Sequence, residues 1–503
     1  MNQVLEELRR VRKCADADAV HELRVAIRRC RSVATVMLEV DGHPTWTAMK
    51  ELPRSLFRAL GALRDLQVLE AWIRQLAAPD DPLGGKLLTV MEDRQTGPRS
   101  DLRRALRKFD RQGWQRLARR ATRRASVVMP NSLTAQCLAL ERFEEFRRLH
   151  EHAVQTEAPA PWHELRIGLK RFRYAVEILL PERSAEWDHD LGALQDVLGE
   201  VHDLDVLRSR ITQESDGTDP TTAESLGLNI AHKRRRCIEQ YRRLTRGEGN
   251  VLRTWRAGLP DGKTIGASTA ARFCTTARAM DPHPRRTIEI LRLAMRLFDR
   301  LAVSGTDCLF REHALSDVLL AAAQLHGIDT GNAQRARPKA ARDFLRNTAL
   351  PLGWTLEDWQ LVAHVVRYQR GAEPSPGHRA FAQLSPRQQD RVRGLAGVLR
   401  LARGLHRCDV RVAGAVQVDA TSTSVRIRVA GIEDAEENAA RLARAKHLLE
   451  RYLRKPVLIG GVTATTPIHE LRLMHRSPGH RLPAVAAAGG LVHAHQRDQR
   501  RAL

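Results

Sequence analysis

One stretch of the sequence occurs twice. His21-Glu22-Leu23-Arg24-Val25-Ala26-Ile27-Arg28-Arg29-Cys30-Arg31 returns as His163-Glu164-Leu165-Arg166-Ile167-Gly168-Leu169-Lys170-Arg171-Phe172-Arg173. A second motif follows each copy. Leu60-Gly61-Ala62-Leu63-Arg64-Asp65-Leu66-Gln67-Val68-Leu69 returns as Leu198-Gly199-Glu200-Val201-His202-Asp203-Leu204-Asp205-Val206-Leu207. Two motifs in the same order at similar spacing indicate a tandem duplication, so the first half of the chain must build one unit from two like copies.

The copies read as helices. Leu23, Ile27, Cys30, Ala34 and Met37 step by four and three, and neither Pro nor Gly interrupts them. Further helices fit Leu102 to Thr122 and Ala231 to Trp255. Breaks fall at Ala77 to Gly85, Glu157 to Pro161 and Asp216 to Pro220, where Gly, Pro and Asp concentrate. The stretch 257–279 reads as a linker. From Met280 to Gly404 the pattern is helical again. Val410 to Val418 and Thr421 to Val429 alternate and are Val-rich, which predicts two strands. A helix over Glu433 to Arg454 and a short apolar run, Val457 to Ile459, follow. The tail, 461–503, lacks periodicity and is expected to be poorly ordered.

The spacing also aligns charge. Arg24, Arg28 and Arg31 share one helix face with His21, and His163, Arg166, Lys170 and Arg173 form the same row in the second copy. Like charges at this spacing weaken an isolated helix. A sequence that keeps the row twice points to a negatively charged partner. If the copies pack about a pseudo-twofold axis, both rows face one groove. Guanidinium groups suit phosphate because they bond it in bidentate fashion and stay charged.

Composition agrees. The chain of 503 residues has 83 Lys and Arg against 59 Asp and Glu, a formal net charge of +24. That balance favours a phosphate polymer, nucleic acid or an acidic surface. Aromatic residues make up only 4%, which argues against stacking on single-stranded nucleic acid. The seven cysteines are scattered, with no paired-Cys spacing, which fits a reducing compartment. The charged N-terminus does not read as a signal peptide, and no run is apolar enough to span a membrane. A cytoplasmic protein is expected.

The pattern His-x-x-Arg-Val-x-x-Arg-Arg-x-Arg, the later Leu-Gly-x-x-Arg-Asp, and the second copy with Lys-Arg-x-Arg-Tyr resemble the CHAD domain (conserved histidine alpha-helical domain) over residues 1–256. His202 departs from the pattern where the first copy has Arg64. The resemblance implies a mainly α fold, two pseudo-symmetric four-helix bundles formed by copies at about 1–130 and 135–256. It also implies binding of inorganic polyphosphate. Carried onto this chain, its binding set is His21, Arg24, Arg28, Arg29, Arg31, Arg64, His163, Arg166, Lys170, Arg171, Arg173 and Tyr174. Association with polyphosphate granules would follow. The triphosphate tunnel domain that often precedes CHAD is marked by Glu-x-Glu-x-Lys, and that motif is absent from this sequence.

Residues 280–460 resemble the C-terminal part of exopolyphosphatase/guanosine pentaphosphate phosphohydrolases, through Leu293 to Leu301, Leu319 to His326, Val365 to Gly371 and Leu399 to Leu405. The resemblance implies a second helical, HD-like domain with a small strand-containing tail. An HD site needs His and Asp to hold a divalent metal. Here Gly327 follows His326, Gln369 stands where His is usual, and Arg403 and His406 occupy the stretch of the late Asp residues. Arg335, Arg337 and Lys339 fall where a His-rich turn is expected. His283 and His326 alone do not make a metal site. No metal, cofactor or catalytic residue is therefore assigned. His313, His364 and His406 read as structural or surface groups, and Trp354 and Trp359 as core-capping aromatics. The leading reading is non-catalytic polyphosphate binding. Metal-dependent hydrolysis of polyphosphate or a phosphorylated nucleotide, and nucleic-acid binding, remain the alternatives.

Overall fold

The computed structural model describes residues 1–14, 16–77, 82–214, 220–247, 249–330, 337–410, 416–430, 432 and 436–461. The tail from 462 onward, read as poorly ordered, lies outside the described residues. The first copy holds α1 (Asn2–Lys13), α2 (Ala17–Met37), α3 (Pro44–Glu51), α4 (Arg54–Leu76), α5 (Pro82–Lys108) and α6 (Arg111–Ala125). The second holds α7 (Leu133–Ala153), α8 (Pro159–Leu179), α9 (Pro181–Glu214), α10 (Pro220–Thr245) and α11 (Val251–Ala257). Four long helices pack in the same order in each copy: α1, α2, α4 and α5, then α7, α8, α9 and α10. Where the second copy has the single α9, the first has α3 and α4. Pro53 stands at the N-cap of α4, where a missing N–H and a ring that crowds the preceding turn favour a break.

Across the copies, α2 packs on α8 and α4 on α9, which gives the duplication its pseudo-twofold relation. One core runs from Val4 to Leu259 and includes Leu23, Ile27, Leu165 and Leu169 from the duplicated stretch. The apolar stripe of each copy therefore faces inward, and its charged stripe is carried to a fixed place by that burial. Asp16 caps α2 through Ala19 N, and Ser132 caps α7 through Ala135 N.

Several expected boundaries shift. The helix expected over Leu102 to Thr122 is broken after Lys108, since Phe109 turns in to meet Trp114 and Asp110 caps α6 through Gly113 N. The helix expected over Ala231 to Trp255 ends at Thr245, because Gly247 takes a φ of 84° that favours glycine. The break read at Glu157 to Pro161 is shorter, as Pro159 sits in the first turn of α8, where its missing N–H is not needed.

The stretch 257–279 is not an extended tether. Most of it is α12 (Ile265–Met280), which packs on α7 and, beyond it, on α14 (His313–Leu325). Arg272 is 2% exposed and pairs with Glu141 and Glu39; it also donates to Glu39 O at 3.3 Å. Thr134 and Thr275 bond at 2.8 Å beside it. Burial raises the Glu141 carboxyl from its ordinary range.

A second core runs from Phe273 to Val457. It is built by α13 (Pro284–Val303), a short 3-10 turn (Cys308–Arg311), α14, α15 (Arg337–Asn347), α16 (Leu356–Tyr368), α17 (Arg379–Ala382), α18 (Pro386–Arg407) and α19 (Glu436–Leu453). The strands are β1 (Val416–Ala420), β2 (Val425–Val429) and β3 (Val457–Gly461). β1 pairs antiparallel with β2 (Val416 opposite Val429), and β2 pairs parallel with β3 (Val425 opposite Val457). The first expected strand starts later than read, with 411–415 outside the described residues. The second is shortened by a turn in which Thr421 N donates to Ser424 O. Gly404 lets α18 lie close on α19, where a Cβ would come within 2.5 Å of Ala445 Cβ.

Removing one member of a buried ion pair strands the other charge. Arg272→Ala is expected to lose about 3–5 kcal/mol of stability in urea unfolding. Arg272→Met/Glu141→Leu, which removes both charges, is expected to recover most of that loss.

Candidate functional site

The α2–α8 contact creates a cavity of about 600 Å³ between the two copies. Its lining takes His21, Arg24 and Arg28 from α2, Arg166 and Lys170 from α8, and Arg64 from α4. Six of the residues singled out in the sequence thus share one space, from both copies. Tyr174 stands behind them with Arg28 5.5 Å above its ring. His163 meets His202, a lining residue, with Nδ1 atoms 3.1 Å apart.

The others lie apart. Arg29 is exposed outside the cavity. Arg31 lines a neighbouring hollow of about 450 Å³ with Arg54 and Arg58, which shares Asp65 with the cavity. There Arg31 donates to Lys50 O and lies 5.1 Å from the Phe57 ring centre. Arg171 is tied to Glu145 at 2.5 Å, and Arg173 to Glu177 at 2.9 Å and Asp188 at 3.2 Å. The matched rows therefore end differently. The first opens toward further arginines, and the second is closed by carboxylates.

Sequence reasoning missed the acidic side of the cavity. Asp65 comes from α4, and Asp196, Glu200 and Asp203 come from α9. Asp65 lies 3.6 Å from Arg24, while Glu200 is engaged by Lys233 at 3.0 Å and by the Cys237 thiol at 3.2 Å. Asp65 and Asp203 occupy the same place in the second repeated motif, so the repeat itself carried that signal. Asp196 and Glu200 have no acidic counterpart in the first copy.

Crowding of like charge sets the electrostatics. Burial, and then Arg166, Arg28 and Arg24, bring the Lys170 ammonium down to about 7. Burial lowers Arg28 and Arg166 as well. Burial followed by Arg166 takes His202 down to about 4, and burial lowers His21. Burial raises Asp203 despite Arg166. The Nε–H groups of Arg24, Arg28 and Arg166 and the Tyr174 hydroxyl are buried without a hydrogen-bond partner. These donors have no partner among the protein's own groups and are open to the oxygens of an anion or of water.

The second helical unit has a different centre. His326 is 5% exposed, and its Nδ1 lies 2.7 Å from Ala323 O of its own helix. A side chain at Gly327 would come within 2.4 Å of Asp281 Oδ2 and 2.6 Å of Thr287 Oγ1, so no ligand fits there. Gln369 donates to His326 O at 3.2 Å. Among the described residues, no group of three or more His, Cys, Asp or Glu is placed to hold a metal ion. Arg335 and the side chain of Arg337 lie outside the described residues, and Lys339 is exposed on α15. His283 is exposed at the start of α13, and His313 opens α14. His364 is buried, and His406 bonds Glu289 at 2.7 Å. Trp359 is buried and donates to Leu345 O, with Trp354 packed edge-on against it.

Comparison with known families gives two matches. A CHAD domain model matches residues 1–262, and a Ppx/GppA phosphatase domain III model matches residues 283–449. No curated protein matches the chain. Among the described residues, no helix is long and apolar enough to cross a membrane.

The unfolded chain holds the Lys170 proton more tightly than the folded one, because the ordinary lysine value of 10.5 falls to about 7 on folding. Ligand-free stability therefore gains from Lys170 as pH rises from about 7 to 10.5 and loses that gain as pH falls. Lys170→Met is expected to raise Tm at pH 7 by roughly 2 °C or more and to flatten this part of the pH profile in thermal unfolding.

Proposed function

The chain belongs to the CHAD domain family, and from that premise we propose that it binds inorganic polyphosphate, without cleaving it, in the cavity between α2 and α8. A CHAD domain followed by a Ppx/GppA domain III points to a polyphosphate-related function. The observation that carries the finer reading is the convergence of Arg24, Arg28, Arg166 and Lys170, from two copies, with buried donors left unpaired. A linear polyanion offers an acceptor at every step. It satisfies the guanidinium donors, relieves the repulsion between the rows and releases counterions.

The lining residues include no Phe, Tyr or Trp, the broad rings on which bases stack best. A bare phosphate chain needs no such platform, which favours polyphosphate over single-stranded nucleic acid. The binding set is His21, Arg24, Arg28, Arg64, Arg166 and Lys170 in the cavity, with His163 and Tyr174 beside it. Arg29 and Arg31 extend the set outside. Arg171 and Arg173 act through their carboxylate partners by holding α8 in place. The chain lies on the α2–α8 floor and leaves over the α4 side. There Arg31, Arg54 and Arg58 line the way, whereas the opposite wall carries Asp196 and Glu200.

Titration with long polyphosphate is expected to show Arg28→Glu/Lys170→Glu weakened on the order of 100-fold or more. Arg54→Glu/Arg58→Glu is expected to lose about tenfold for the long polymer and to leave tripolyphosphate binding unchanged. Affinity is expected to be highest below pH 7 and to fall as Lys170 loses its proton above it. Equal affinity of wild type and Arg28→Glu/Lys170→Glu would contradict the shared cavity. Release of phosphate from the polymer with Mg²⁺ or Mn²⁺ would contradict binding without cleavage.

A further inference from the structure

At one end of the C-terminal unit four helix ends meet. α13 begins there at Pro284 and carries Arg286 in its first turn, and α14 ends there at Leu325, capped by His326. α16 ends at Tyr368, with Gln369 and Arg370 directly after it, and the end of α18 carries Arg403 and Arg407. The neighbours α13–α14, α13–α18, α14–α16 and α16–α18 all pack on one another. The chemistry gathered there is cationic: Arg286, Arg370 and Arg403 act on His326, and Arg370, Arg286, Arg407 and Arg400 act on Arg403.

Neutralising groups are already engaged. Asp281 accepts from Thr287 Oγ1 and His283 N. Glu289 is held by His406 at 2.7 Å, and Glu373 by Arg451 at 2.9 Å and His447 at 2.8 Å. Arg286, Arg403 and Arg407 make no ion pair and no side-chain hydrogen bond with the described residues. Capping of the α16 C-terminus does not account for them. That task falls to Arg400, which donates to Tyr368 O at 2.7 Å, Gly371 O at 2.9 Å and Ala372 O at 2.8 Å. Gln369, 2% exposed, keeps its Oε1 buried without a partner beside the cluster.

We propose that Arg286, Arg370, Arg403 and Arg407 form a second anion site, suited to a compact phosphate group of two or more negative charges. Pyrophosphate and the end of a polyphosphate chain share this chemistry. The site is separate from the α2–α8 cavity and does not depend on it. The negative dipole ends of α14, α16 and α18 help hold the guanidinium groups in place, and the α13 N-terminus is the one positive helix end among them. Burial first, and then the other arginines, bring Arg403 down to about 9. Where His and Asp would hold a divalent ion that attracts phosphate, guanidinium groups attract it directly.

The test uses the full chain in the Arg28→Glu/Lys170→Glu background, which silences the cavity. Calorimetric titration with inorganic pyrophosphate is expected to give one site per chain. Adding Arg286→Glu/Arg407→Glu is expected to weaken it by about tenfold or more, with folding checked by circular dichroism. Adding Arg426→Glu/Arg444→Glu, an equal charge change at exposed positions elsewhere, is expected to leave it within about twofold. Arg407→Glu alone, also exposed, serves if the double variant unfolds. No pyrophosphate binding in the cavity-silenced chain, or an equal loss in the control, would overturn the proposal. Long polyphosphate titrated into Arg286→Glu/Arg407→Glu with the cavity intact separates the two sources. Weaker binding identifies the polymer end, and unchanged binding identifies a small phosphate. Failure of the cavity reading would show separately, as unchanged long-polymer affinity in Arg28→Glu/Lys170→Glu.

Discussion

Everything in the N-terminal half depends on α2 packing against α8. Leu23, Ile27, Leu165 and Leu169 are fully buried in the shared core, and that burial leaves the two cationic stripes nowhere to go but toward each other. Apolar burial of this kind contributes about 1.5–3 kcal/mol per large side chain, enough to outweigh repulsion between partly solvated charges. The fold thus holds Arg24, Arg28, Arg166 and Lys170 in an arrangement that is unfavourable without an anion. Stability and binding are set against each other at Lys170, where burial first and then the neighbouring arginines disfavour the charged ammonium.

How much of this was readable from residues alone depended on whether the signal was local. Helical spacing and the repeat are local, so the elements, the pairing of copies and six cavity residues followed from sequence. Helix ends were less accurate, because Phe109 and Gly247 act through a turn that periodicity does not register. The fates of Arg171 and Arg173 were not readable. They match Arg29 and Arg31 in sequence; Glu177, one turn on in α8, is a local partner of Arg173, but Glu145 and Asp188 reach the pair only after α7, α8 and α9 have packed. The Arg272–Glu141 pair was equally hidden, since its partners lie on helices far apart in the chain. For the same reason a stretch read as a linker proved to be mostly α12.

The two halves use positive charge in different ways. In the first, duplication brings cations together and a few carboxylates on α4 and α9 orient them. In the second, four helix ends gather arginines around His326, Gly327 and Gln369, and no metal-holding group stands among the described residues. α12 joins these units with a buried ion pair rather than a tether, which fixes the relation between the cavity and the C-terminal cluster.

The central claim is that both copies hold one polyanion between them. A crystal structure of the full chain with bound polyphosphate tests it most directly. The account expects phosphorus density between α2 and α8, in hydrogen-bond contact with both Arg28 and Lys170. Density confined to one copy, or lying on a surface away from this cavity, would contradict it.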